Sequence, residues 1–123
     1  MNKIRTATLA EAAALVQDGM TLALGGMTMY RRPVAFVYQL LARNPRPRGL
    51  TLLNFTAGYE SDLLIGAGCI ETIRTVYCGL ESFGLSPMFT EWVGAGKLRV
   101  MEETEASIAS GFRAQMAGVS FMP

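Results

Sequence analysis

Apolar positions along the chain alternate between a helical and an extended spacing. Leu9, Ala12, Ala13 and Val16 recur at i, i+3, i+4 and i+7, the spacing of one helix face. Thr8 and Glu11 bracket its start as a capping box, a hydroxyl for the third amide and a carboxylate reaching back. Gly19 marks a stop. Met20 to Leu24 is then almost wholly apolar, which predicts a strand covered on both faces and hence a parallel sheet. Gly25-Gly26 ends it. After a loop, Pro33 suits the first position of a helix whose buried face is Val34, Val37, Leu40 and Leu41. Asn44 to Gly49, with two prolines and a glycine, predicts a turn, and Leu50 to Phe55 the next strand.

The same alternation continues to the end. Thr56 to Glu60 reads as a loop centred on Gly58, and Ser61-Asp62 as the cap of a short helix through Leu63, Leu64 and Ile65. Gly66 and Gly68 close that helix. Ile73 to Cys78 predicts a third strand and Gly79 to Gly84 a loop. Ser86-Pro87 supplies an N-cap and a first-turn proline for a helix carrying Met88, Phe89, Trp92 and Val93. Leu98 to Met101 predicts a fourth strand, and residues 105–117 a last helix presenting Ile108, Phe112 and Met116. The expected fold is a single α/β domain over residues 1–123, with an open, mainly parallel sheet of about four or more strands flanked by helices and joined by right-handed crossovers. Phe121-Met122-Pro123 follows the last helix as an apolar tail and predicts continuation into a larger architecture.

Composition narrows the chemistry. Half of the 123 residues are apolar and 17% are charged, which excludes disorder. Eleven basic against ten acidic residues leave a charge of +1, with no electrostatic footprint for nucleic acid or an anionic membrane. No run of about 18 apolar residues is present to span a bilayer. The start Met1-Asn2-Lys3-Ile4-Arg5 is followed by Glu11 and Asp18 without a small-x-small cleavage site, so no signal peptide and a cytoplasmic location are expected. With no histidine, the chain cannot form a Ser-His-Asp or Cys-His nucleophile pair. Cys69 and Cys78 are not spaced as CxxC, so zinc and thioredoxin-like readings fail and no metal is expected. Eight methionines and the apolar excess predict an exposed surface that meets a partner.

Few residues remain to carry chemistry. Gly25-Gly26 lies at the carboxyl end of the first strand, where open α/β sheets bind ligands and where glycine lets main-chain amides approach an oxyanion. A tight strand-to-helix turn is the simpler reading. Arg31 and Arg32, ahead of the Pro33 helix, can meet a phosphate or carboxylate, or form a solvated pair. Glu60 and Asp62 flank Ser61, with Asp62 read as a helix cap. Glu81, in the loop after an apolar strand, is placed to act as nucleophile or base, although local sequence favours an ordinary loop glutamate. Glu102, Glu103 and Glu105 suit the start of a helix. Tyr30 and Tyr59 fall in the first two strand-end loops, while Trp92 reads as core. Gly66-Ala67-Gly68 follows a helix and is no dinucleotide fingerprint.

The order of motifs resembles the start of the alpha subunit of family I CoA-transferases, the glutaconate CoA-transferase type especially. The resemblance rests on Ala23-Leu24-Gly25-Gly26-Met27-Thr28 with Arg31-Arg32-Pro33, on Thr56-Ala57-Gly58, and on Asp62-Leu63-Leu64-Ile65-Gly66-Ala67-Gly68. It continues through Gly94-Ala95-Gly96-Lys97-Leu98 to Ala117-Gly118-Val119-Ser120-Phe121-Met122-Pro123 and so covers nearly the whole chain. It implies an open α/β sheet and the N-terminal part of a longer alpha subunit. In that family a glutamate carboxylate attacks an acyl-CoA thioester, the CoA thiolate opens the mixed anhydride, and a second carboxylic acid takes the CoA. Acyl-CoA and an acid are substrates, and no permanently bound cofactor is implied. In glutaconate-type enzymes the nucleophile belongs to a beta subunit, so a hetero- or homo-oligomer is expected. By the match, Gly25 and Gly26 contact the thioester region and Arg31 and Arg32 correspond to a basic pair. Glu81-Ser82-Phe83-Gly84 is similar in placement to the beta subunit's glutamate loop, which keeps Glu81 as a catalytic candidate. The alternatives are a non-catalytic binding or assembly module and a phosphosugar-binding domain of related α/β build.

Overall fold

A computed structural model describes residues 6–122; Met1–Arg5, on which the signal-peptide reading partly rests, and Pro123 lie outside them. In chain order the elements are α1 (Leu9–Ala14), β1 (Thr21–Ala23), α2 (Val34–Leu41), β2 (Leu50–Ala57), α3 (Tyr59–Gly66), β3 (Ile70–Cys78), α4 (Pro87–Gly94), β4 (Arg99–Glu102) and α5 (Glu105–Ala117). A single 3-10 turn, Glu81–Phe83, lies between β3 and α4. The strands form one sheet in the order β1-β2-β3-β4, each neighbouring pair parallel. Sequential order with right-handed crossovers puts α2, α3 and α4 on the same face, and α1 packs beside α2.

The core lies between that helix layer and the sheet. Leu50, Leu52 and Asn54 of β2 point into it, together with Ile73 of β3, Val37 and Leu40 of α2, and Leu64 and Ile65 of α3. Each fully buried leucine or isoleucine contributes about 2–3 kcal/mol. Thr51, Leu53 and Phe55 point to the opposite face and are only half-buried. There α5 is the one helix seen among the described residues, with Phe112 stacked on Phe55 at 6.4 Å.

Three expectations change. The Met20 to Leu24 strand was expected to be covered on both faces, but β1 has only three residues, and Thr21 and Ala23 are exposed on the α5 side. Pro33 is the N-cap of α2 rather than its first residue. Ile108 of α5 is buried, whereas Phe112, although stacked on Phe55, is 40% exposed and Met116 is 87% exposed.

Candidate functional site

The loops after β1, β2 and β3 converge at the carboxyl edge of the sheet. Leu24 continues the ladder, its N–H shared between the Leu53 carbonyl and Asn54 Oδ1 at 3.3 Å each. Gly25 and Gly26 follow, and among the described residues neither of their amides has a hydrogen-bond partner. Met27 and Tyr30 then close a tight turn by two backbone bonds, 3.0 and 2.7 Å. Thr28 at its tip donates its N–H to Thr56 Oγ1 at 2.8 Å, which fastens the turn to the end of β2.

Two glycines make this approach possible. Gly26 has φ +104°, and a Cβ there would lie 2.6 Å from Arg32 Cδ and 2.9 Å from the Tyr30 and Arg31 carbonyl oxygens. At Gly58 a Cβ would lie 2.1 Å from the Thr28 carbonyl oxygen. Gly25 differs: nothing comes within 4 Å of an added Cβ. Among the described residues, the non-glycine residues with left-handed backbone are Thr28, Arg31 and Glu81, at φ 43°, 54° and 52°, and all three lie on these loops. Such strain persists where the surrounding contacts hold it, and it gathers at functional sites.

Glu81 and the glycine turn, far apart in sequence, are brought together. The Thr28 hydroxyl donates to Glu81 Oε1, and Glu81 N–H reaches the Tyr77 hydroxyl at 3.4 Å. Glu81, Arg31, Gly25 and Gly26 are exposed. Arg32 is not: its side chain is 2% exposed and pairs with Glu60, itself fully buried. The two arginines therefore point to different environments. Glu60, Ser61 and Asn54 form a buried polar cluster that the sequence did not single out as a unit. Nothing local announces it, because Arg32 and Glu60 are 28 positions apart.

Ser61 and Asp62 were expected to cap their own helix, but α3 begins at Tyr59 after Gly58 and holds both within its first turn. Asp62 caps α4 instead, accepting from Phe89 N–H at 2.9 Å and Met88 N–H at 3.3 Å. Burial pushes the nearby Cys78 thiol up to about 11, an inert group at neutral pH. The Tyr59 hydroxyl pairs with Tyr38 at 2.8 Å rather than meeting Tyr30. At the end of β4, Glu103 accepts from Arg74 Nε at 2.8 Å and from Ser107 Oγ at 2.5 Å, and these bonds hold its carboxyl below the usual range.

A cavity of about 160 Å³ opens beside the turn, lined by Ala23, Gly25, Gly26, Leu53, Phe55 and Phe112 among others. A larger hollow of about 490 Å³, bordered by Arg43, Arg46 and Arg48, includes the far end of α2. Two of these arginines have a structural use: Arg43 donates to the Ala13 and Val16 carbonyls, and Arg46 to that of Leu41, at helix C-termini. Among the described residues no cluster of His, Cys, Asp or Glu suits a metal, and no helix is long and apolar enough to cross a membrane.

Residues 6–123 match the family model of coenzyme A transferase. The A subunit of glutaconate CoA-transferase from Acidaminococcus fermentans is 33% identical over 125 residues, covering all of this chain and 38% of that protein. The crystal structure of glutaconate coenzyme A-transferase from the same organism superposes with a TM-score of 0.85 at 33% identity, over 95% of this chain and 37% of that one. The crystal structure of a variant of the decarboxylase AibA/AibB gives 0.87 at 27% identity, over 97% and 46%. The chain thus spans less than half the length of each of these relatives.

Proposed function

Since the chain belongs to the coenzyme A transferase family, we propose that it is the portion of an A-type subunit that presents its Gly25–Gly26 turn to the thioester of an acyl-CoA. The observation that carries the reading is the exposed Gly25–Gly26 pair, whose amides have no hydrogen-bond partners among the described residues, held at the carboxyl edge of a parallel sheet. Preorganised N–H donors of this kind stabilise the negative charge that develops on a carbonyl oxygen under attack. CoA then passes between an acyl-CoA and a carboxylic acid, with no permanently bound cofactor. The attacking glutamate comes from a partner beta subunit, in a cytoplasmic hetero-oligomer. Glu81 is engaged by Thr28 at the rim of the turn, and its carboxylate borders the site rather than serving as the nucleophile. Arg31, exposed on the same loop, is available to an anionic group of the substrate.

The transferase reading stands ahead of a decarboxylase one because identity to the transferase, 33%, exceeds that to the decarboxylase, 27%. Gly25→Ala tests it. The added methyl meets nothing within 4 Å, so the fold should be retained and Tm unchanged or slightly raised. In the full-length enzyme assembled with its partner, the methyl would stand in the open space beside the two amides and hold the thioester carbonyl out of line with them, so CoA transfer from acetyl-CoA should fall by about a hundredfold. Undiminished transfer in a folded Gly25→Ala enzyme would overturn the assignment of the turn.

A further inference from the structure

We propose that Arg32, Glu60, Ser61 and Asn54 are positioning residues, forming a buried relay that sets the 25–31 loop for ligand contact. The four side chains form one chain of polar contacts. Arg32 pairs with Glu60 through Nη2 and Oε1. Ser61 Oγ donates to the same Glu60 oxygen at 2.6 Å, and Asn54 Nδ2 donates to Ser61 Oγ at 2.7 Å. Asn54 Oδ1 then accepts from the Leu24 N–H at 3.3 Å. The relay begins at the residue after the 25–31 loop and ends at the residue before it. Both ends of the loop are tied to one buried network on β2 and α3.

The relay also forms the floor of the turn. The Arg32 stem passes under Gly26 so closely that a Cβ there would lie 2.6 Å from Arg32 Cδ. Moving the guanidinium away from Glu60 would move that stem and take away the floor beneath Gly26.

Stability alone does not account for the arrangement. Glu60 and Ser61 are fully buried, Asn54 is 2% exposed and the Arg32 side chain 2%. Charges taken this far from water are costly, and apolar residues of the same volume often stabilise a fold more. The pair is made at one point, and Arg32 Nε, Arg32 Nη1 and Glu60 Oε2 have no hydrogen-bond partner among the described residues. What a directional network supplies and an apolar one does not is a fixed geometry for the loop it ties.

The functional half of this inference rests on the transferase reading; the structural half does not. Ser61→Ala and Asn54→Leu cut the relay without removing a charge, which spares the fold the cost of an orphaned ion. In the full-length protein, hydrogen exchange within the segment 24–32, at the bonded amides of Leu24, Met27, Thr28 and Tyr30, should accelerate about tenfold in either variant while peptides from β3 and α4 keep wild-type rates. Acetyl-CoA affinity, measured by calorimetry, should weaken about tenfold alongside. Exchange that rises equally across the whole sheet would make the relay an ordinary part of the core and overturn the proposal, as would unchanged exchange at 24–32. Faster loop exchange with unaltered acetyl-CoA affinity would also overturn it. A wild-type protein that binds no acetyl-CoA would sink the transferase reading instead, leaving the loop exchange to decide the tethering.

Discussion

A methyl group on Gly58 would sit 2.1 Å from the Thr28 carbonyl oxygen, and one on Gly26 would strike Arg32 and two backbone oxygens. Neither contact can be relieved by turning a flexible side chain alone, because each includes backbone. Gly58→Ala should therefore cost about 1–3 kcal/mol, as overpacking does. Chemical denaturation will read it as a lower midpoint, and a wild-type midpoint would mean that the Thr28 and Gly58 loops do not touch. The placement of Gly25-Gly26 was legible in sequence, since an apolar strand ending in a glycine pair defines a carboxyl edge. The burial of Arg32 was not. An arginine in a polar loop reads as solvated, and only the tertiary meeting with Glu60 reverses that. The same holds for Glu81, whose link to Thr28 spans 53 positions.

Periodicity placed the helices and strands well, because apolar spacing and turn residues act locally. Boundaries shifted where a neighbouring element decides them. Asp62 follows Ser61 as a cap should, yet α3 already starts at Tyr59 and the carboxylate serves the N-terminus of α4. Asp62→Ala should destabilise the protein by about 1–2 kcal/mol and fray α4 first. Hydrogen exchange that speeds up in α3 but not in α4 would assign the cap wrongly. At the start of α5, the Ser107 hydroxyl and Arg74 lower the Glu103 pKa below its ordinary 4.5. A carboxyl depressed in the folded state stabilises above that ordinary value and loses its contribution as pH falls through the folded one. The wild type should thus melt above Glu103→Gln at about pH 7, and the gap should narrow as the pH is lowered below the ordinary carboxylate range. Equal melting temperatures at both pH values would remove this pair from the stability of α5.

In the whole molecule, the sheet has one fully packed face and one on which only α5 rests among the described residues. Alternation of helix and strand predicted the parallel sheet, but it does not encode how many layers a sheet will carry. The apolar excess was legible, and it emerges as exposed Phe83, Leu85, Met116 and Phe121. Phe83 and Leu85 stand on the same edge as the glycine turn, where a partner subunit is proposed to complete the site. The central claim is that this chain supplies the turn and its partner supplies the nucleophile. Intact mass of each subunit of the native assembly, after incubation with acetyl-, butanoyl- and glutaconyl-CoA, tests it most directly. The partner subunit should carry a CoA thioester, and this chain should keep its unmodified mass. A CoA adduct on this chain that disappears in Glu81→Ala would contradict it and make Glu81 the nucleophile.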